Sequence, residues 1–179
     1  MTICLAESLL EKGFDLNDQL EKYRKWYLTG YATPFDDRSY GIGQQTLKAL
    51  MGKIDFNKMD GSDERAGGNG SLMRCAPIGL YYQNQYKKIE NKSLLASYIT
   101  HNYHLSGWTC VILNTIISLI INGHDKKQIL SEIKNNRQVK QIAIPQNTGI
   151  PKICILQIGG TIASRVDYKT GAVKVDFEP

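Results

Sequence analysis

The sequence has few cysteines, no visible signal peptide and no CxxC pair. Its four cysteines, Cys4, Cys75, Cys110 and Cys154, lie far apart along the chain. Such isolated residues are typical of reduced thiols in a cytoplasmic protein, because disulfide frameworks belong to secreted chains. We therefore expect a cytoplasmic protein with free cysteines.

Long apolar runs and dense charge of one sign are also missing. The longest apolar stretch, residues 111–121, is interrupted by three polar residues and is too short to cross a bilayer. The net charge of +5 is mild, and the basic residues form short scattered clusters rather than one patch. A nucleic-acid-binding surface needs a dense basic patch. We expect a buried helix at 111–121, and neither a membrane nor DNA as a partner.

Apolar residues recur at helical spacing from the start of the chain to about residue 136. Ordinary hydrophobic and charged contents favour one folded core in a chain of this length. The spacing predicts helices over 3–10, after Asp15, over 43–51, from about Ser71 with Met73, Ala76 and Leu80 inward, and over 92–100, 105–122 and 125–135. This part of the chain is predicted to be all-α.

The pattern changes after residue 136. Residues 137–151 are polar and contain Pro145, Gly149 and Pro151, which is typical of a linker. Residues 152–158 are apolar and β-branched, which predicts a buried strand, and Thr170-Gly171 predicts a turn between two short extended pieces. The 28 residues of 152–179 are too few to bury a core.

The stretch RAGGNGSLMR at 65–74 contains three glycines and an asparagine in four consecutive positions. Glycine is favoured where the backbone needs positive φ or where another group approaches closely. Two interpretations fit the residues alone. The loop is either a tight turn before a helix or a loop that holds a ligand.

Five segments resemble those of ADP-ribosylglycohydrolases of the dinitrogenase-reductase-activating type and occur in the same order. They are CLAESLL at 4–10, KWYLTGY at 25–31, YGIGQQTLKAL at 40–50, GGNGSLMRCAPIGLYY at 67–82 and ITHNYH at 99–104. The resemblance covers residues 1–135. It implies an all-helical fold that binds ADP-ribose beside two magnesium ions and cleaves its N- or O-glycosidic bond to a modified side chain.

The resemblance also implies a substrate-binding site. Gly67, Gly68, Asn69 and Gly70 would approach the pyrophosphate and proximal ribose through backbone N–H groups at a helix N-terminus. His101, from the Thr-His motif, would add a donor to the same diphosphate. For His101 alone, a buried histidine with a structural role is an equal alternative.

Other parts of the family pattern are missing from this sequence. The first acidic cluster of the family ends just before the position of Met1, and the second lies beyond the resembling region. Asp36 and Asp37 are adjacent but isolated, which favours a solvated loop over a magnesium site. Gly41 stands where many members have a catalytic aspartate. We therefore expect no metal ligands and no hydrolysis of ADP-ribosyl bonds in this chain.

The segment KICILQIGGTIASRVDYKTGAVKV at 152–175 resembles a second family. It is similar to the start of the asparaginase-type domain, most closely in the D subunit of archaeal glutamyl-tRNA(Gln) amidotransferase. Thr161 matches the nucleophilic threonine of that family, whereas Ile158 replaces the first threonine of its motif. In this chain alone, a strand and turn without catalysis is the favoured interpretation of Thr161.

These observations divide the chain into a helical domain at 1–136, a linker at 137–151 and an asparaginase-like fragment at 152–179. The favoured hypothesis is an inactive, incomplete ADP-ribosylglycohydrolase whose ligand is ADP-ribose or an ADP-ribosylated protein. One alternative is a fragment of an amidohydrolase with a tRNA-amidotransferase partner. Another is a non-catalytic ADP-ribose-binding module. A gene fusion, a gene remnant and an assembly artefact would each explain the join.

Overall fold

The structure is a computed structural model that describes residues 1–34, 37–52, 54–135, 163–166 and 173–176. Within these residues there are seven α-helices, and the predicted mainly helical fold is confirmed. The helices are α1 (Thr2–Lys12), α2 (Leu16–Thr29), α3 (Gln44–Met51), α4 (Ala76–Tyr81), α5 (Tyr86–Tyr98), α6 (His104–Ile121) and α7 (Lys126–Asn135). Three 3-10 helices lie between α3 and α4, at Phe56–Lys58, Glu64–Ala66 and Leu72–Arg74.

Local capping explains where several helices begin. The Asp15 carboxylate accepts hydrogen bonds from the backbone N–H groups of Asn17 (2.8 Å) and Asp18 (3.1 Å), so α2 begins as predicted. At the start of α7, the N–H of Gln128 donates to the Asp125 carboxylate at 2.9 Å, and the Gln128 side chain accepts from the Asp125 N–H at 2.8 Å. This reciprocal pair is a capping box.

Helix α5 begins at Tyr86, whereas the spacing predicts a start at residue 92. The first turns of α5 are mostly polar and exposed, which hides the apolar period. Ile89 is nevertheless fully buried and fixes the inner face of this part of the helix.

The segment after residue 70 differs from its prediction. Instead of one helix from Ser71, the chain forms a three-residue 3-10 helix and then the six-residue α4. Met73 and Leu80, which the spacing predicts to point inward, are 69% and 51% exposed, whereas Pro77 and Ile78 are buried. The change from 3.0 to 3.6 residues per turn rotates the buried face, so an α-helical period fails across the junction.

Helix α6 lies at the centre of the helical unit and contacts α4, α5 and α7. By length and apolar composition it is able to cross a membrane, and it is the one such helix in the described part of the chain. Central helices of bundles share these properties. Here the Asn114 side chain accepts from the Gly79 N–H (3.2 Å) and donates to the Ser93 hydroxyl (2.8 Å), which joins α6 to α4 and α5.

Two short strands form an antiparallel pair near the end of the chain. Strand β1 (Ala163–Val166) pairs with β2 (Val173–Asp176), with Val166 opposite Val173. The pair agrees with two predicted short extended pieces, whereas the predicted turn at Thr170-Gly171 lies outside the described residues. The predicted linker at 137–151, the predicted strand at 152–158 and Thr161 lie outside the described residues.

Candidate functional site

The glycine loop, residues 67–70, lies between the second and third 3-10 helices and packs on the ring of His101. Gly68 has φ +148°, which side chains with a Cβ rarely adopt. At Gly70 the reason for glycine is space, since a Cβ there would lie 2.7 Å from His101 Cε1. The structure therefore requires glycine at two loop positions for two different reasons.

Hydrogen bonds within the fold already occupy half of the loop's N–H groups. The N–H of Gly67 donates to the Glu64 carbonyl at 3.3 Å. The Ser106 hydroxyl accepts from the Gly68 N–H (3.2 Å) and donates to the Gly68 carbonyl (2.9 Å). Across the described residues, the N–H groups of Asn69 and Gly70 make no hydrogen bond. Of the four predicted loop residues, these two keep a backbone donor for a ligand.

The prediction that an α-helix begins directly after the loop is wrong. The 3-10 helix that follows has three residues, and α4 has six and begins only at Ala76. Two such short segments add little aligned dipole, because the macrodipole is a sum over peptide units. Anion binding at this loop would therefore depend on individual donors and charges.

His101 lies beneath the loop and is 3% exposed. Its Nδ1 lies 2.9 Å from the Thr100 hydroxyl oxygen, and Cβ atoms built on Gly68 and Gly70 would lie 3.3 and 3.0 Å from Nε2. Burial, together with the charge of Arg74, lowers the pKa of His101 to about 4. His101 is therefore neutral at pH 7 and can donate one hydrogen bond, without forming an ion pair with an anion.

Sequence reasoning missed Arg74, which is as deeply buried as His101. Its guanidinium donates to the carbonyls of Gly70 (3.1 Å) and Ala96 (2.9 Å) and to the Thr100 hydroxyl. The signal available in the sequence is a lone arginine in the otherwise apolar stretch LMRCAPIGL. A charged residue in such a stretch is buried only when its donors are satisfied.

The described residues contain no group of three or more His, Cys, Asp or Glu side chains placed to hold a metal ion. Asp37 is exposed and accepts from the N–H of Arg38 at 2.8 Å, whereas Asp36 lies outside the described residues. Gly41 has φ +73° and open space around a built Cβ. The described part of this chain therefore does not fit a metal centre built from these side chains.

The fold and the loop together define a helical domain with a glycine loop seated on a buried Thr-His pair. The family model for ADP-ribosylglycohydrolase matches residues 1–159. The chain belongs to this family. The match includes residues 137–151 and the first part of the segment that resembles asparaginases.

Curated relatives show both resemblances. ADP-ribosylarginine hydrolase Tri1 of Pseudomonas putida (strain GB-1) is 28% identical over 134 residues, which are 73% of this chain and 36% of the relative. The D subunit of glutamyl-tRNA(Gln) amidotransferase from Thermococcus kodakarensis is 40% identical over 62 residues, 34% of this chain and 14% of that protein. The corresponding protein of Methanosarcina mazei is 62% identical over 29 residues, 16% of this chain and 7% of that protein.

The similarities cover only part of each relative, and the two kinds of match share residues of this chain. The chain spans 36% of the length of the hydrolase that it matches. The match of 62 residues to the amidotransferase is longer than the 28 residues of 152–179, so it extends into the preceding part of the chain. The family match and the amidotransferase similarity therefore overlap.

Proposed function

We propose that this chain is the ADP-ribose-binding part of an ADP-ribosylglycohydrolase and that it does not hydrolyse ADP-ribosyl bonds by itself. The observation that carries the proposal is the glycine loop seated on neutral His101, with the N–H groups of Asn69 and Gly70 unbonded within the described residues. Membership of the family supports ADP-ribose as the ligand class.

The donors at the loop suit a diphosphate. Phosphate oxygens accept hydrogen bonds and carry charge, and backbone N–H groups of a glycine-rich turn are common partners for them. Arg74 adds positive charge beneath the loop, since its guanidinium bonds to the Gly70 carbonyl and forms no ion pair within the described residues. These contacts support binding of the diphosphate part of ADP-ribose.

Two further features of the proposal come from the family and its relatives. The hydrolases matched here are named for ADP-ribosylarginine, so arginine-linked ADP-ribose is the proposed substrate class. The family is metal-dependent in general. The proposed cofactor is magnesium, and the described residues offer no group of three or more His, Cys, Asp or Glu side chains that could hold it.

The catalytic half of the proposal is tested with an ADP-ribosylated arginine peptide. We expect no release of ADP-ribose by the purified chain, with magnesium or with EDTA. Release that requires magnesium and disappears with EDTA would contradict the proposal, because it would mean that the chain contains the metal ligands.

The binding half is tested by titrating labelled ADP-ribose. We expect a dissociation constant in the high-micromolar to millimolar range, or about 4–6 kcal/mol. Gly68→Val should abolish binding, because its side chain would meet His101 and disfavour φ +148°. Asn69→Ala should weaken binding and leave the helices intact.

Gly123→Val is the matched control for Gly68→Val. Gly123 also has positive φ (+81°), but a built Cβ meets nothing within 4 Å, and the residue follows α6 away from the loop. We expect this variant to bind like the wild type. If the wild type does not bind, or if Gly68→Val binds equally well, the loop is only a turn.

An amidotransferase-type function is the second candidate. It is favoured by the 40% identity over 62 residues to the amidotransferase of Thermococcus kodakarensis. In this hypothesis Thr161 attacks a side-chain amide, and a tRNA-amidotransferase complex is the partner. Ammonia release from asparagine or glutamine that disappears in Thr161→Ala would support this candidate; we expect none from this chain.

A further inference from the structure

Arg74 is a buried cation without an acidic partner in the described part of the chain. Its guanidinium lies 5.0 Å from the centroid of the Tyr23 ring, and its hydrogen bonds go to two carbonyls and one hydroxyl. The ion pairs among the described residues are Lys22 with Glu11 and Lys58 with Asp55, both elsewhere. Burial of an unpaired charge costs free energy, so the position of the Arg74 guanidinium beneath the loop needs an explanation.

The bond from Arg74 to Thr100 occupies one of the two lone pairs of the Thr100 hydroxyl oxygen. Arginine only donates, so the Thr100 hydroxyl oxygen accepts from Nη2 and its own hydrogen remains available. That hydrogen has two acceptors in reach, His101 Nδ1 at 2.9 Å and the Ser97 carbonyl at 3.4 Å. The shorter distance assigns it to His101 Nδ1.

An acceptor role for Nδ1 places the ring hydrogen of neutral His101 on Nε2. That nitrogen lies on the side of the ring that faces Gly68 and Gly70. It makes no hydrogen bond within the described residues. The Nε2–H donor is thus left beside the loop whose N–H groups at Asn69 and Gly70 are unbonded.

We propose that Arg74 and Thr100 are positioning residues that hold His101 as a neutral Nε2–H donor toward a diphosphate at the glycine loop. The ligand in this statement rests on the proposed function. The orientation of the ring hydrogen does not, because it follows from contacts within the chain. Burial and the Arg74 charge support the proposal by lowering the pKa of His101 to about 4.

The first measurement needs no ligand. Long-range nitrogen–proton NMR of the His101 ring at pH 7 should show the Nε2–H tautomer in the wild type and in Thr100→Ser, which keeps the hydroxyl. In Thr100→Val, which has nearly the same shape, we expect a mixture of tautomers. A retained Nε2–H tautomer in Thr100→Val would overturn the proposal, even if that variant were less stable.

Arg74→Met is the second variant and keeps the proposal testable if Thr100→Val does not fold. It removes a cationic donor whose positive charge disfavours a second N–H donor at the Thr100 oxygen, so Thr100 can then accept from Nδ1–H more readily. We expect a mixed tautomer and a pKa of His101 that rises from about 4 toward its ordinary value of 6.5. An unchanged tautomer and pKa in this variant would also overturn the proposal.

The second measurement is the titration with labelled ADP-ribose. Thr100→Val should weaken binding about tenfold, as expected for one misdirected hydrogen bond to a charged acceptor, whereas Thr100→Ser should stay close to the wild type. If the wild type does not bind but the tautomer changes as expected, the proposed function fails and the positioning role stands. If the wild type binds and Thr100→Val binds equally well, the positioning role for the ligand is wrong.

Discussion

The close packing of Gly70 against His101 can be measured by adding one methyl group. In Gly70→Ala the new Cβ would lie 2.7 Å from His101 Cε1, 3.0 Å from Nε2 and 3.0 Å from the Thr46 hydroxyl oxygen. Real Cβ atoms are not found at the shortest of these distances, so the loop or the ring must move. Overpacking of this kind costs about 1–3 kcal/mol. We expect Gly70→Ala to lower the free energy of unfolding by that amount.

The assay is a double-mutant cycle with His101→Ala, followed by urea unfolding of all four proteins. Of the three atoms nearest to the new methyl group, removal of the ring leaves the Thr46 hydroxyl oxygen at 3.0 Å. In that background Gly70→Ala should be neutral or slightly stabilising, because alanine restricts the unfolded chain by about 0.4–1 kcal/mol relative to glycine. The coupling free energy should therefore be about 1–3 kcal/mol.

The same cost of Gly70→Ala in both backgrounds would refute the reasoning. It would mean that the penalty comes from the backbone of residue 70 or from Thr46, and that the His101 ring does not limit the loop. A matched comparison is Gly43→Ala, where a built Cβ meets nothing within 4 Å and φ is −70°. That variant should show no coupling to His101→Ala.

The remaining predictions concern pH and the surface. The pKa of His101 is about 4 in the folded chain and near 6.5 in the unfolded chain, so the unfolded chain binds a proton first as the pH falls. The contribution of His101 to the free energy of unfolding is therefore complete above pH 6.5. It falls by about 3 kcal/mol toward pH 4. Urea unfolding across this range should show a flatter profile for His101→Asn; an equal profile would contradict the assignment. Leu10 and Leu80 are exposed and line an apolar groove between α1 and α4. The double variant Leu10→Lys, Leu80→Lys should therefore self-associate less than the wild type in sedimentation experiments. Unchanged association would mean that this groove is not a contact surface.

The sequence was sufficient to predict where a helix begins when neighbouring residues alone determine that position. Asp15 caps α2 through its own side chain, and Asp125 and Gln128 cap α7 three residues apart. These interactions need no tertiary contact, so spacing and residue type predict them. The buried face near α4 was not predictable in this way, because a three-residue 3-10 helix shifts the period between Leu72 and Ala76.

The candidate site also contains some residues that local sequence patterns predict and others that only tertiary contacts reveal. The glycine loop and the Thr-His pair are short contiguous motifs and could be found by resemblance. The contacts from Arg74 to Thr100 and from Gly68 to Ser106 join residues that are 26 and 38 positions apart. No local pattern predicts such pairs. They become visible only when α5 and α6 pack around the loop.

The hydrogen bonds inside the loop limit how tightly this chain can hold a diphosphate. With the N–H groups of Gly67 and Gly68 engaged, the loop backbone offers the N–H groups of Asn69 and Gly70, and His101 Nε2 lies beside them. Hydrogen bonds to charged acceptors contribute about 1.5–3 kcal/mol each, and association alone costs at least about 4 kcal/mol. Three donors therefore give only weak net binding, even with Arg74 adding positive charge beneath the loop. A submicromolar dissociation constant for ADP-ribose would require further contacts from residues other than these donors.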